Sequence, residues 1–201
     1  MSAVNPVASP AFSSLASDRI FYTTMSIVAT LVIFVGFSPS FFLAVANPEA
    51  KPLEPVFHVH GGMFTLWMGL YIVQNVLIAR GNRMLHMRLG QYMAVLGFAM
   101  IIMAFYITLH ATRIGFGGPL GALPDKIQAM AVPFFDMFVF APLFLAGLYY
   151  RKRAPEAHKR LMMMATVGGL LGAAIGRAPL FIGELDRQLY LYLALIFAGP
   201  V

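Results

Sequence analysis

The feature that most constrains the fold of this chain is a series of apolar runs, each long enough to cross a lipid bilayer. A spanning helix needs about 20 apolar residues because an α-helix rises about 1.5 Å per residue. Five such runs occupy residues 21–46, 57–79, 89–110, 129–150 and 161–182. A sixth run, residues 189–201, stops at the end of the sequence, so we expect the natural protein to continue. The sequence predicts an all-α, polytopic transmembrane helix bundle with five full spans and a truncated sixth.

Composition supports a membrane environment. Of the 201 residues, 60% are hydrophobic and 11% are charged, and the mean hydropathy is +0.78. Soluble domains carry roughly a quarter charged residues, so we expect most of the chain to face lipid. The formal net charge of +6 comes from basic residues clustered between the apolar runs, not along one polar face. We therefore predict a lipid bilayer and other membrane protein subunits as partners, and no nucleic acid.

Cysteine is absent from the chain. Its absence excludes disulfides, thiolate metal sites, iron–sulfur clusters and thiol nucleophiles. The sequence also has no phosphate-binding glycine loop and no hydrolase or zinc-protease motif. Whether the protein is an enzyme is left open, and a metal would rest on His, Met, carboxylate or backbone groups.

Two regions follow from the residue pattern. Residues 1–19 are rich in Ser, Ala and Pro and are predicted to form a flexible tail. They lack the basic region before a short apolar core that a cleaved signal peptide needs. Residues 20–201 are predicted to form a single transmembrane helical domain.

Basic residues predict the orientation, because Lys and Arg in short loops are held on the cytoplasmic side. One predicted side has Arg19, Arg80, Arg83, Arg88, Arg151, Lys152, Arg153, Lys159 and Arg160. The other side has Lys51, Arg113, Lys126 and Arg187. We expect a multi-pass protein of the bacterial inner membrane with a cytoplasmic N-terminus.

The five histidines all lie at predicted span ends, and the helix length decides which of them can meet. His86 and His110 are 24 residues apart, or about 36 Å along a helix, which is a full bilayer. His58, His60 and His110 are therefore predicted on the outer side, and His86 and His158 on the cytoplasmic side.

The outer histidines are the first candidate cofactor or metal site. His58 and His60 share a face only in extended backbone, so a joint site requires that the segment after Pro55 is not helical. With His110 they could then hold a metal such as zinc or copper, a haem or a chlorin. The alternative is that they are interfacial residues bonded to backbone, water or headgroups. His86 and His158 are a second candidate metal pair with the same alternative.

Two charged residues fall inside predicted spans, where an ionisable group is costly unless it is paired. Asp136 and Arg177 are predicted in the outer half of the membrane and could form an ion pair. With His60 and His110 they would make one polar cluster that binds a cofactor. A purely structural pair is the alternative.

Two residue patterns have both a packing and a cofactor interpretation. Gly168, Gly172 and Gly176 lie on one helix face and predict either a close helix contact or a groove for a flat cofactor. Methionines 84, 87 and 162–164 flank His86 and His158, which suits either lipid packing or Cu(I).

Three segments carry a resemblance to a family. They are His-Val-His at 58–60 with Trp67 and Gln74, Leu-His-Met-Arg-Leu-Gly at 85–90, and His-Lys-Arg-Leu-Met at 158–162 with Gly176 and Arg177. Over most of residues 20–182 the chain resembles an uncharacterised family of bacterial inner-membrane proteins, which implies one or two further helices but no activity. Residues 86–118 have a fainter similarity to small membrane proteins linked to haem–copper oxidase assembly. Met87 stands where that family usually has a basic residue, so no ligand is carried over.

Three functions remain open. The first is a membrane subunit in an electron-transfer setting that holds a haem, a metal or a chlorin through the outer histidines. The second is a structural accessory subunit of a respiratory or photosynthetic complex without its own cofactor. The third is a small transporter with Asp136 and Arg177 as its polar centre.

Overall fold

The computed structural model of the chain describes residues 10–49, 52–115 and 126–175, and within these ranges it is all helix and turn, with no strand. Its elements are α1 (Pro10–Phe37), a π-helical segment (Ser38–Phe42), α2 (Leu43–Ala46), α3 (Pro55–Ala79), α4 (Arg83–Ile114), α5 (Lys126–Tyr150) and α6 (Pro155–Ile175). The π-helical segment contains Pro39, which has no N–H to donate to the helix. The all-α fold class is confirmed for these residues.

Four of the helices are long and apolar enough to cross a membrane. These stretches are Ser17–Ala46, Pro55–Ala79, Arg83–Ile114 and Pro133–Tyr150, and they correspond to the first four predicted spans. The described part of α6 ends at Ile175, short of the predicted end at residue 182, and is not among them. The predicted sixth run lies outside the described residues. The chain is thus a helical protein with at least four membrane-span-like helices.

The helices form a closed ring. Going round it, α1 contacts α3, α3 contacts α4, α4 contacts α5, α5 contacts α6, and α6 returns to α1. Helix α6 is the most buried, because an unbroken stretch of it from Ala165 to Leu171 is inaccessible. The outward faces of the other helices expose large apolar side chains, for example Leu31, Ile102 and Phe135. An apolar surface of this kind is what a lipid bilayer covers.

The core is centred on Trp67 of α3, which is 0% exposed. Its indole Nε1 lies 3.4 Å from the Thr166 hydroxyl of α6. The edges of its ring meet Phe140 and Phe144 of α5, with centroids 5.4 and 5.7 Å away. The contacts of Trp67 therefore join α3 to α5 and α6, which lie far from it in sequence.

Glycines set how closely α6 approaches its neighbours. A Cβ on Gly169 would lie 2.5 Å from Cβ of Phe140, and one on Gly36 of α1 would overlap the backbone of Ala174. Gly168 and Gly172, two members of the predicted glycine row, face Val139 and Asp136 of α5, while Gly176 lies outside the described residues. The row is a helix contact as far as it is described, because α5 fills the groove that a flat cofactor would need.

The N-terminal boundary differs from the predicted one. Helix α1 begins at Pro10, inside the predicted flexible tail of residues 1–19. Proline is favoured in the first turn of a helix, and residues 11–19 contain no further helix breaker. Residues 1–9 lie outside the described residues.

Candidate functional site

The ring has one strongly basic end. Here the start of α1 meets the end of α3, where Arg19 approaches the Ala79 carbonyl at 3.5 Å. The start of α6 meets α1 through the ion pair between Lys159 and Asp18, and the turn 151–153 leads into it. We call this end, with all nine basic residues of the predicted cytoplasmic side, the basic end. The starts of α4 and α6 at this end also bring His86 and His158 together.

His86, on the first turn of α4, is held by a glutamine from α3. With its amide nitrogen turned toward His86, the orientation that satisfies all of its polar atoms, the Gln74 side chain donates to Nδ1 of His86 at 2.6 Å and to the His86 carbonyl at 3.2 Å. Its oxygen accepts from the Gly90 N–H at 2.9 Å. Gln74 is only 7% exposed, and all of its polar atoms are satisfied by the start of α4, as burial requires.

His158, on the first turn of α6, is held by the end of α5. Its Nδ1 lies 2.8 Å from the Gly147 carbonyl oxygen. A carbonyl only accepts, so Nδ1 of His158 carries the proton and its Nε2 has the free lone pair. Because Gln74 donates to Nδ1 of His86, the proton of His86 lies on Nε2 instead.

The imidazole of His86, on α4, faces the imidazole of His158, on α6. Their ring centroids are 6.4 Å apart and their planes are inclined by 75°. Both residues are half-buried. The sequence predicted that His86 and His158 lie on the same side of the membrane, and the structure brings them into one pair that spans four helices through Gln74 and Gly147.

The methionines around this pair differ in where their side chains lie. Met84 and Met87 are 62% and 61% exposed and point to the exterior. Met163 lies in the core at 2% exposure. Met162 packs its sulfur against Gly147, the residue whose carbonyl holds His158. Met84, Met87 and Met163 thus face the exterior or pack in the core, and Met162 packs beside the residue that holds His158.

The opposite end of the ring contains the outer histidines, and there His110 is bound by a carboxylate. Its Nε2 lies 2.7 Å from Oε2 of Glu54, just before α3. The Tyr106 ring stacks on the imidazole with centroids 5.9 Å apart, and the Phe57 ring is 6.1 Å away. One ring nitrogen of His110 is therefore already used by the protein.

His58 and His60 do not share a site with His110. Helix α3 begins at Pro55, so these two side chains point about 200° apart, and the extended backbone that a joint site required is not present. His58 lies near the Phe41 ring and His60 near the Phe64 ring. Among the described residues, no group of three or more His, Asp or Glu side chains could hold a metal ion.

Asp136 lies within the apolar part of α5, between the two internal prolines Pro133 and Pro142. Its carboxylate is turned toward α6, where Oδ1 is 2.5 Å from the position that a Cβ on Gly172 would take. Arg177, its predicted partner, lies outside the described residues. The predicted Asp136–Arg177 pair therefore stays a prediction.

Sequence reasoning missed two contributors to the basic end. The family motif includes Gln74 but gives it no role. An amide inside an apolar run itself indicates a buried polar contact. Lys159 forms ion pairs with Asp18 and with Glu156, three residues before it. Burial lowers the pKa of Lys159, but hydrogen bonds with Asp18 and Glu156 outweigh this effect, and the net shift raises the pKa.

Comparisons with protein-family models, curated proteins and solved structures give no match for this chain.

Proposed function

We propose that this protein is a membrane subunit of an electron-transfer assembly that holds a haem or a metal ion through His86 and His158. The observation that carries the proposal is the 6.4 Å separation of the two ring centroids. At this separation His86 and His158 would be the residues that hold a haem iron or a metal ion between them. The proposal moves the site from the outer histidines to the basic end.

The surroundings of His158 suit a ligand. Bound imidazoles commonly donate their second N–H to a backbone carbonyl, which fixes the ring and leaves the other nitrogen for the metal. The contact from Nδ1 of His158 to the Gly147 carbonyl has this form. A haem iron or a copper ion bound there would supply one-electron chemistry.

His86 needs one change to act as the second ligand. Its Nε2 carries the proton while Gln74 donates to Nδ1. Binding through Nε2 requires the Gln74 amide to turn over, so that its oxygen accepts from a protonated Nδ1. Gln74 is thus a positioning residue, because turning its amide over would also break its bonds with the His86 carbonyl and the Gly90 N–H.

We further infer that the basic end faces the cytoplasm of a bacterium, which would place the N-terminus there. The support is the nine-to-four distribution of Lys and Arg between the two sides, since this bias orients membrane proteins. With residues 176–182, α6 would be a fifth span, and residues 189–201 would begin a sixth.

A structural accessory subunit without a cofactor is the second candidate function. It is favoured by the protein contacts that already use ring nitrogens of three histidines. These contacts join His86 to Gln74, His158 to Gly147 and His110 to Glu54. In this alternative the histidines hold the ends of the helices together, as buried hydrogen-bonded groups do.

The visible absorption spectrum of the purified protein, together with metal analysis, separates the two functions. The proposal predicts a haem Soret band that shifts on reduction, or about one copper ion per chain. A protein purified from its native membrane that has neither chromophore nor metal would contradict the proposal.

A further inference from the structure

The turn between α5 and α6 forms a basic depression at the membrane boundary. It has a volume of about 300 Å³ and is lined by Leu148, Tyr149, Arg151, Lys152 and Arg153. The three basic side chains are all exposed. Among the described residues, no carboxylate forms an ion pair with any of them. Glu156, which follows the turn, forms an ion pair with Lys159.

Two of these side chains are held in place by the protein. The Arg151 guanidinium donates to the Leu148 carbonyl at 2.9 Å. The Arg153 guanidinium lies over the Tyr149 ring, 4.0 Å from its centroid. Each contact leaves further N–H groups of the guanidinium exposed, and such groups bind phosphate oxygens well. Because these two side chains are already held in place, less of their conformational entropy is lost when an anion binds.

The position of the depression indicates what kind of anion fits. It lies at the end of the apolar stretch Pro133–Tyr150. Along that helix, Leu145 and Phe138 expose 46% and 64% of their surface. A ligand whose phosphate sits at the turn would therefore have its remaining part against an apolar helix face, which suits acyl chains.

We propose that the turn 151–153, with Tyr149 and Leu148, binds the headgroup of an anionic phospholipid. The phosphate accepts hydrogen bonds from Arg151 and Arg153, Lys152 adds positive charge, and the acyl chains lie along α5. Basic clusters at the end of a membrane helix attract anionic lipids in this way. The site is independent of any cofactor at His86 and His158.

Native mass spectrometry of the detergent-purified protein, titrated with phosphatidylglycerol or with phosphatidylcholine, tests the proposal. The triple variant Arg151→Gln, Lys152→Gln, Arg153→Gln removes the site. The matched control Arg80→Gln, Arg83→Gln, Arg88→Gln removes the same charge from the neighbouring turn at the basic end. We expect the first variant to weaken phosphatidylglycerol binding by at least about tenfold and the control by no more than about twofold.

Three results would overturn the proposal: equal binding of the two lipids, an equal loss in both triple variants, or displacement of phosphatidylglycerol by millimolar inorganic phosphate. The last result would identify a site for free anions. The single variant Lys152→Gln gives a second test in a protein that should fold normally, because Lys152 is exposed at the turn. A weakening of about fivefold supports the proposal, and unchanged affinity in this variant contradicts the role of Lys152.

Discussion

The indole of Trp67 and the hydroxyl of Thr166 meet at the centre of the helix ring, 3.4 Å apart and both fully buried. They connect α3 to α6 across 99 residues of sequence. Thr166 lies two turns of α6 beyond His158 and Trp67 lies two turns of α3 before Gln74, and so this contact fixes the helices that carry the basic-end site.

We predict that Trp67→Ala destabilises the protein by about 3–5 kcal/mol, because it leaves a large cavity in a close-packed core. Thr166→Val keeps the volume and leaves the buried indole N–H without this partner, so its expected cost is about 1–3 kcal/mol. Thermal unfolding in detergent measures both effects. Leu66→Ala is the control, since Leu66 is 54% exposed on the same helix; a loss in this variant as large as in Trp67→Ala would contradict the central position of Trp67.

The approach of α6 to α5 gives a second prediction. A Cβ on Gly169 would lie 2.8 and 2.9 Å from Cα and N of Phe140, which are backbone atoms that cannot rotate away. Gly169→Ala should therefore lower the stability by about 1–3 kcal/mol. In the matched variant Gly69→Ala the new Cβ meets no atom within 4 Å, and the better helix propensity of alanine should add up to about 1 kcal/mol. Equal folded yields for the two variants would show that this packing is wrong.

The raised pKa of Lys159 predicts that the protein loses stability at alkaline pH. Its folded-state pKa is raised, so its ion pairs contribute fully below the unfolded pKa of about 10.4 and are lost as the pH rises through the higher folded value. The melting temperature of the wild type should therefore fall as the pH rises above about 10.4 and through the raised pKa of Lys159. Lys159→Arg keeps its charge in this range, and its melting temperature should fall less steeply. Parallel curves for the two proteins would rule out a contribution from Lys159.

The lack of cysteine makes the orientation easy to test. Lys152→Cys places a single thiol at the basic end, and Glu49→Cys places one in the exposed turn at the opposite end. In intact bacterial cells, a membrane-impermeant maleimide should label the thiol at position 49 and leave the one at position 152 unmodified until the cells are broken. The reverse pattern would place the basic end outside.

The sequence predicted the first four spans well, because each is an uninterrupted apolar run of bilayer length. It predicted the helix starts less well. Helix α4 begins at Arg83 rather than at residue 89, since the Asn82 side chain accepts from the Leu85 N–H at 3.1 Å and caps the helix. A capping Asn is a signal that hydropathy alone does not use.

The candidate site could be predicted only in part. Helix length separated His86 from His110, and the basic residues placed His86 and His158 on one predicted side; the structure brings these two histidines together at one end of the ring. The contact between His86 and His158 depends on α4 and α6 approaching each other at the basic end, and no local pattern encodes that approach. The pairing of His110 with Glu54 was missed for the same reason, because these residues are 56 positions apart.

The most direct test of the proposed site compares cofactor content in four variants purified from the native membrane. His86→Ala and His158→Ala remove the pair at the basic end, and His58→Ala and His110→Ala are matched controls at the opposite end. Haem absorbance and bound metal per folded chain should fall by at least about tenfold in each of the first two variants, since each removes a ligand. Both controls should keep wild-type occupancy. Retention of the cofactor in His86→Ala and His158→Ala with loss in His110→Ala would contradict the proposal and return the site to the outer histidines.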